Sequence, residues 1–122
     1  MRRNANAKLI KQINTSTLLK RIRTHGPISR AELVKSTNLS PTTVSVLVDE
    51  LIQEKLVKEI GTGESSGGRR PILLTFEPMS RLALGIDIGV QKTSIGLMDL
   101  EGSIISSIQY EPSTRLNSSH QI

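Results

Sequence analysis

The fold is decided by "ISRAELVKSTNLSPTTVSVLVDELIQEK", which runs from Ile28 to Lys55. Ser29 is followed three residues later by Glu32, which is the capping box that starts a helix. Asn38 tolerates the left-handed conformation that ends a helix without a glycine. Ser40 then precedes a proline, as an N-cap precedes a first helical position. These signals predict two short helices joined by a tight turn.

The second of these helices has two distinct faces. One is an apolar stripe with the i, i+3, i+4, i+7 spacing of a helix packed on a core, made of Val44, Leu47, Val48, Leu51 and Ile52. The other carries short side chains that allow close approach to base edges and phosphates. Such a helix after a tight turn is typical of a helix-turn-helix, although an ordinary three-helix core with a solvated face has the same pattern. The candidate DNA-binding residues here are Ser40, Thr42, Thr43, Ser45 and Val46.

Upstream of this stretch, two further segments can be distinguished. Residues 1–13 are polar and basic without a sustained apolar period, which predicts a flexible arm. The segment "NTSTLLKRIRTHG" predicts a first helix that ends at Gly26-Pro27. Its cap is expected at one of the residues Asn14, Thr15 and Ser16.

Downstream, "LVKEIG" and "RPILLTF" are rich in strand formers and predict a hairpin. The loop between them, "GTGESSGGRR", ends in Arg69 and Arg70, whose guanidinium groups could lie along phosphates or in a narrow minor groove. Taken alone, the loop could equally be a flexible solvated segment. Because the helix-turn-helix, the hairpin and the arginine pair follow one another, the sequence favours a winged helix-turn-helix DNA-binding domain over residues 14–78.

Composition supports a polyanionic partner for this part of the chain. Residues 1–81 hold 14 Lys and Arg against 7 Asp and Glu, whereas residues 82–122 hold 2 against 4. Nucleic acid and an anionic membrane surface are the candidate partners. No apolar run approaches the roughly 20 residues of a membrane span, and no signal peptide is recognisable, so a soluble, cytoplasmic protein is expected. The absence of cysteine excludes disulfides and thiolate metal sites.

Over residues 14–112 the sequence resembles the ROK family, which contains sugar-responsive transcriptional repressors and sugar kinases. The resemblance rests on the wing ending in "GGRRP", followed directly by "LALGIDIG". It implies an α+β fold: a winged helix-turn-helix, then the first strands of a truncated actin-like, ribonuclease-H-like domain over residues 79–112. Three strands, "LALGIDIG", "KTSIGLMDL" and "GSIISSIQY", are expected there.

In kinases of this family, the turn after the first of these strands faces phosphate. Four of its positions match here, namely Asp87, Ile88, Gly89 and Lys92. Val90 and Gln91, however, replace a glycine and a threonine, and a branched side chain blocks close phosphate approach. The family's catalytic aspartate and cysteine-rich zinc segment would lie beyond residue 112. The chain is therefore expected to have no enzyme activity, no catalytic residue, no cofactor and no metal site.

The sequence thus predicts a DNA-binding repressor of carbohydrate-utilisation genes, such as those of xylose metabolism. Double-stranded DNA is the expected partner, and a sugar effector is expected only for the full-length protein. The resemblance implies a homo-oligomer at full length, whereas this chain alone is expected to be a monomer that binds DNA weakly. Two alternatives remain at this point: an ATP-dependent sugar kinase of the same family, and a small basic module that binds an acidic protein.

The last ten residues fit none of this organisation. The string "STRLNSSH", Ser113 to His120, is encoded by one reading frame of a common short-read sequencing adapter. We therefore expect that residues 113–122 are not native and that the reading frame of the gene continues. Resequencing the source DNA past the codon for Pro112 tests this, and a native stop codon directly after Ile122 would contradict it.

Overall fold

The computed structural model describes residues 2–65 and 67–112. The expected adapter translation at residues 113–122 lies outside the described residues. The chain forms two compact units, Met1–Glu77 and Pro78–Ile122, whose boundary falls one residue before the one expected from the sequence. Among the described residues, no helix is long and apolar enough to cross a membrane.

The first helix, α1, spans Arg2–His25. The prediction of a flexible arm over residues 1–13 is therefore wrong, as is the prediction of a helix cap at Asn14, Thr15 or Ser16. Residues 2–25 contain neither glycine nor proline, so nothing in this segment interrupts a helix. Residues 3–13 of this continuous helix are exposed, whereas Asn14 and Thr15 are half-buried within it.

Contacts within and beyond α1 account for this extension. The Thr15 hydroxyl donates a hydrogen bond to the Lys11 carbonyl at 2.8 Å. Because this bond lies within the helix, Thr15 does not act as a helix cap. The ammonium of Lys11 also pairs with the Glu50 carboxylate at 2.8 Å, on a helix distant in sequence. One exposed ion pair thus links the expected arm to α3, and local sequence does not specify this contact.

The two helices expected from the capping signals are confirmed as α2, Arg30–Thr37, and α3, Pro41–Gln53. At the start of α2, the Glu32 carboxylate accepts from the Ser29 amide at 2.8 Å, while the Glu32 amide donates to the Ser29 hydroxyl at 3.2 Å. Asn38 ends α2 in the left-handed conformation, with φ 57°. The predicted capping box and C-cap are therefore both present.

The wing hairpin is also confirmed, with strand β2 at Val57–Thr62 and β3 at Ile72–Phe76. A strand of two residues, β1 at Ile28–Ser29, pairs with β3 and gives an antiparallel sheet of order β1-β3-β2. The sequence did not indicate β1, because two residues carry no periodicity. The β2–β3 ladder shifts register between Glu59 and Thr62, next to the loop that joins the two strands of the wing.

One hydrophobic core joins the three helices to this sheet. The apolar stripe predicted for α3 is buried in it, except for Ile52, which is half-buried against it. α1 and α2 contribute residues from their inner faces, and the sheet covers the remaining side. The buried members are Leu18, Ile22, Ile28, Leu33, Val44, Leu47, Val48, Leu51, Leu56, Val57 and Leu74.

The second unit is a three-stranded antiparallel sheet that follows a short 3-10 helix, Pro78–Ser80. The three predicted strands are confirmed as β4 Ala83–Ile88, β5 Thr93–Met98 and β6 Ile104–Tyr110, in the order β4-β5-β6. The ladders place Ile86 opposite Ile95, and Ile95 opposite Ile108, on one face. Ile86 and Ile108 remain more than half exposed, so this face is apolar and open to solvent.

Candidate nucleic-acid interface

The N-terminal half of α3 exposes Thr42, Ser45 and Val46 to solvent, and we call these three residues the reading face. Thr42 and Ser45 are exposed, and Val46 keeps 51% of its surface accessible. The buried stripe lies on the opposite side of the same helix, so these side chains are free to contact another molecule. The first turn of α3 contains no acidic residue, and a helix N-terminus carries partial positive charge. This end of α3 is therefore compatible with the close approach of phosphates.

Two of the predicted DNA-binding residues are already engaged with each other. The Ser40 hydroxyl accepts from the Thr43 amide at 3.1 Å and donates to the Thr43 hydroxyl at 2.8 Å. Ser40 is thereby committed to capping α3, and Thr43 is half-buried beside it. Their immediate role is to fix where the helix starts, whereas Thr42, Ser45 and Val46 supply the outward-facing groups.

The wing carries the predicted arginine pair at its C-terminal side. Arg69 and Arg70 are both exposed, and neither guanidinium forms a hydrogen bond or ion pair with another described residue. The amide of Gly63 donates to the Pro71 carbonyl at 2.8 Å and closes the base of the wing loop. Gly67 has φ 100°, a conformation that side chains with a Cβ rarely adopt, so the loop needs glycine there.

A groove lies between the wing and the start of α2. Its lining includes three arginines, Arg30, Arg69 and Arg70, together with the N-cap Ser29. The wing arginines are therefore close to a second helix start as well as to the sheet. Arg69 and Arg70 bring positive charge to this surface, which suits contact with a sugar-phosphate backbone, whereas the charge of Arg30 is paired with two carboxylates.

Sequence reasoning missed Arg30, whose side chain is only 29% exposed. Its guanidinium pairs with Asp49 of α3 at 2.8 Å and with Glu59 of β2 at 3.1 Å. Burial alone would lower the pKa of Arg30, but the hydrogen bonds and charges of the two carboxylates outweigh burial and raise it. No sequence signal pairs these residues, because they lie on three different elements.

The capping box lowers the pKa of one carboxyl, that of Glu32. The pKa of Glu32 is lowered from its ordinary value of 4.5 by the Ser29 amide, then by the Ser29 hydroxyl, with a smaller favourable effect of Lys35, while burial opposes the shift. A carboxyl whose pKa is lower in the folded state stabilises the fold above its unfolded pKa. This stability is lost as the pH falls from about 4.5 through the lowered value.

We therefore expect E32Q to flatten the acid side of the stability profile. Glutamine can still accept the two hydrogen bonds but has no charge to lose, so the variant should be less stable than the wild type at neutral pH and converge with it in acid. Urea unfolding at neutral pH and at a series of values below the ordinary pKa measures this. Parallel profiles for the two proteins would show that Glu32 contributes no linkage.

In the second unit, the turn that resembles a phosphate loop is a closed hairpin. The Gly89 amide donates to the Lys92 carbonyl at 2.8 Å, and a Cβ at Gly89 would come within 2.9 Å of that oxygen. The side chain of Val90 is fully exposed at the tip. An isopropyl group therefore occupies the position where a glycine would let phosphate approach the backbone.

Comparisons with known proteins agree with the winged-helix geometry. The MarR family model matches residues 13–59. The chain is 48% identical over 101 residues to the xylose repressor of Bacillus spizizenii, with 83% of this chain and 26% of that protein covered. It is 32% identical over 105 residues to the DNA-binding transcriptional dual regulator NagC of Escherichia coli, with 86% of this chain and 26% of the relative covered.

A solved structure is similar to most of this chain. It is the crystal structure of a ROK family transcriptional regulator, a homologue of the E. coli MLC protein, with a TM-score of 0.68 and 30% identity. The match covers 85% of this chain and 26% of that one. The predicted fold class, a winged helix-turn-helix followed by antiparallel strands, is thereby confirmed. The chain spans about a quarter of the length of the curated relatives that it matches.

Proposed function

We propose that this chain, a relative of the ROK-family transcriptional regulators, is the DNA-binding part of a repressor of carbohydrate-utilisation genes. The observation that carries the proposal is the exposed face of α3, together with a wing whose two arginines have no partner among the described residues. The names of the relatives support it, since one is a xylose repressor and another a DNA-binding regulator. The inducing sugar is proposed to act on the rest of the full-length protein.

In this proposal the two surfaces of the domain have different tasks. The outward groups of Thr42, Ser45 and Val46 contact base edges in the major groove, where each base pair presents a distinct pattern. Ser40 and Thr43 hold the start of α3 against the phosphates. Arg69 and Arg70 contact the backbone or the adjacent minor groove, so they contribute affinity with little base discrimination.

We further propose that specific affinity requires two copies of the domain. A single winged helix covers only one half-site, and dimers bind two half-sites with a spacing set by their symmetry. The full-length protein is therefore proposed to be a homo-oligomer, whereas this chain alone binds as a monomer. Sedimentation analysis of the chain measures this, and a stable dimer would contradict it.

The proposal is tested by the salt dependence of binding to duplex DNA. The affinity should fall steeply with salt, with a log-log slope of about −0.9 for each phosphate neutralised. A mobility shift with a random duplex, and with duplexes selected from a random library, separates backbone affinity from base preference. Absence of binding to any duplex at low salt would refute the proposal. Binding to acidic polypeptides and duplex DNA alike, without base preference, would instead favour the basic interaction module.

Ser45→Ala should change which base is preferred at one position of the site. Loss of a hydroxyl that contacts a base edge should cost about 1 kcal/mol of discrimination, the lower end of the range for bidentate pairs, while affinity for random DNA should stay close to that of the wild type. Competition binding with single-base variants of the selected duplex measures this. The control is Gln53→Ala, at the far end of the same helix. An unchanged base preference for Ser45→Ala would exclude this residue from the reading face.

No nucleotide chemistry is proposed for this chain. The closed turn with Val90 at its tip gives no support to the sugar kinase alternative. The relatives compared above are transcriptional regulators by name. Nucleotide binding measured on the full-length protein would distinguish a retained kinase activity from a purely regulatory role.

A further inference from the structure

We propose that Arg30 is a positioning residue for DNA recognition, which fixes the position of helix α3 relative to the wing strand β2. This inference rests on the proposed function, because it concerns how two parts of the same DNA-binding surface are held together. The Arg30 side chain contacts both parts, although it lies on a third element, at the first position of α2.

The geometry of the contact suits this role. Nη2 of Arg30 lies 2.8 Å from Oδ1 of Asp49, and Nη1 lies 3.1 Å from Oε1 of Glu59. A guanidinium is a planar, rigid fork, so two carboxylates bound through different nitrogens have their separation fixed. The Arg30 side chain is 29% exposed, whereas those of Asp49 and Glu59 are 59% and 43% exposed. The bridging group is therefore the most buried member of the cluster.

Both carboxylates lie where a small displacement would matter for recognition. Asp49 is four residues after Ser45 on α3, and residues at this spacing share one face of a helix. Glu59 pairs with Leu74 at the last regular position before the β2–β3 ladder shifts. Beyond that shift the hairpin continues into the loop that carries Arg69 and Arg70. Arg30 thus holds the reading face at one end and the root of the wing at the other.

Charge gives the cluster a second effect. Asp49 shares the face of α3 that is proposed to meet DNA, and an unpaired carboxylate there would repel phosphates. Arg30 compensates this charge. Ion pairs that are this exposed typically add little to stability, so the expected consequence of losing the cluster is a change in recognition rather than unfolding.

The double variant R30M/E59Q removes the guanidinium fork and keeps the net charge of the cluster, although it leaves Asp49 unpaired, so base discrimination and not affinity for random DNA is its readout. The wild-type cluster has one positive and two negative groups, and the variant keeps only the negative Asp49, so the net charge is the same. We expect discrimination between the selected duplex and its single-base variants to fall by at least about fivefold, the lower limit for one good base contact. The salt slope on a random duplex should stay unchanged. R30K should give an intermediate loss, because an ammonium is a point charge that cannot reproduce the fork.

A matched control is R21M. Arg21 donates from Nη2 to the Ser36 carbonyl at 3.3 Å and so also links two helices, but its side-chain hydrogen bonds reach only Ser36 and His25 among the described residues. R21M should keep the wild-type base preference, and thermal melts should show that all variants are folded. If R30M/E59Q is folded and keeps the wild-type preference, the inference is overturned while the proposed function stands. If the wild type binds no duplex at all, both are overturned.

Discussion

Replacing both wing arginines, R69A/R70A, should weaken binding to every duplex sequence and make the log-log salt slope less negative by about 1 to 2. Each lysine or arginine that neutralises a phosphate releases condensed counterions, so its loss removes that share of the salt dependence. The two guanidinium groups are exposed and have no described partner, so they are available for such contacts. Base preference should change little, because the reading face of α3 is untouched.

The matched control for this prediction is R69K/R70K, which keeps both charges but not the planar fork. If the contacts are to phosphates, R69K/R70K should keep most of the wild-type salt slope. If instead the arginines occupy a narrow minor groove, lysine should restore the slope but not the full affinity. Dissociation constants over a series of salt concentrations, with random and selected duplexes, measure both effects. A slope in R69A/R70A equal to that of the wild type would remove the wing from the interface.

Leu33→Ala should lower the free energy of unfolding of the first unit by about 2 to 5 kcal/mol. Of residues 30–37, which form α2, Leu33 is the one that is buried, and its exposed fraction is 0%. The change removes the main apolar anchor of a short helix and leaves a cavity that close-packed neighbours fill only partly. Because small domains are stable by about 5 to 15 kcal/mol, this is a large part of the total. DNA binding should be lost in proportion to the unfolded fraction.

Urea unfolding, followed by helical circular dichroism, measures the effect of Leu33→Ala. The control is Leu9→Ala on α1, where the leucine is 55% exposed and the expected change stays within about 0.5 kcal/mol. A loss below about 1 kcal/mol for Leu33→Ala would mean that α2 is not anchored through this side chain. Equal losses for the two variants would contradict the core described for the first unit.

Prediction from sequence succeeded where the signal lies within a few residues. Ser29 and Glu32 form the predicted capping box, and Asn38 ends α2 as expected. The apolar stripe of α3 faces the core because its spacing is helical. The resemblance to the ROK family, based on "GGRRP" followed by "LALGIDIG", agrees with the relatives and with the solved structure.

Prediction failed where a weak local signal is overridden by distant contacts. Residues 2–13 have no sustained apolar period, yet they are helical and Lys11 pairs with Glu50 of α3. β1 is two residues long and forms because β3 offers an edge to pair with. The contact of Ser40 and Thr43 with DNA stays a prediction, and the structure adds that their hydroxyls bond to each other at the cap.

The sequence by itself determined the order of the elements apart from β1, the caps of α2 and α3, the buried stripe and the location of the arginine-bearing wing. Each of these depends on backbone conformation and on side-chain periodicity, which neighbouring residues set. Only the tertiary structure decided that Arg30 bridges Asp49 and Glu59, and that the wing arginines lie beside the start of α2. Those contacts join residues about 20 to 40 positions apart. The geometry of these contacts forms only when the core brings the elements together, because the conformational preferences of neighbouring residues do not specify the distance between separate elements.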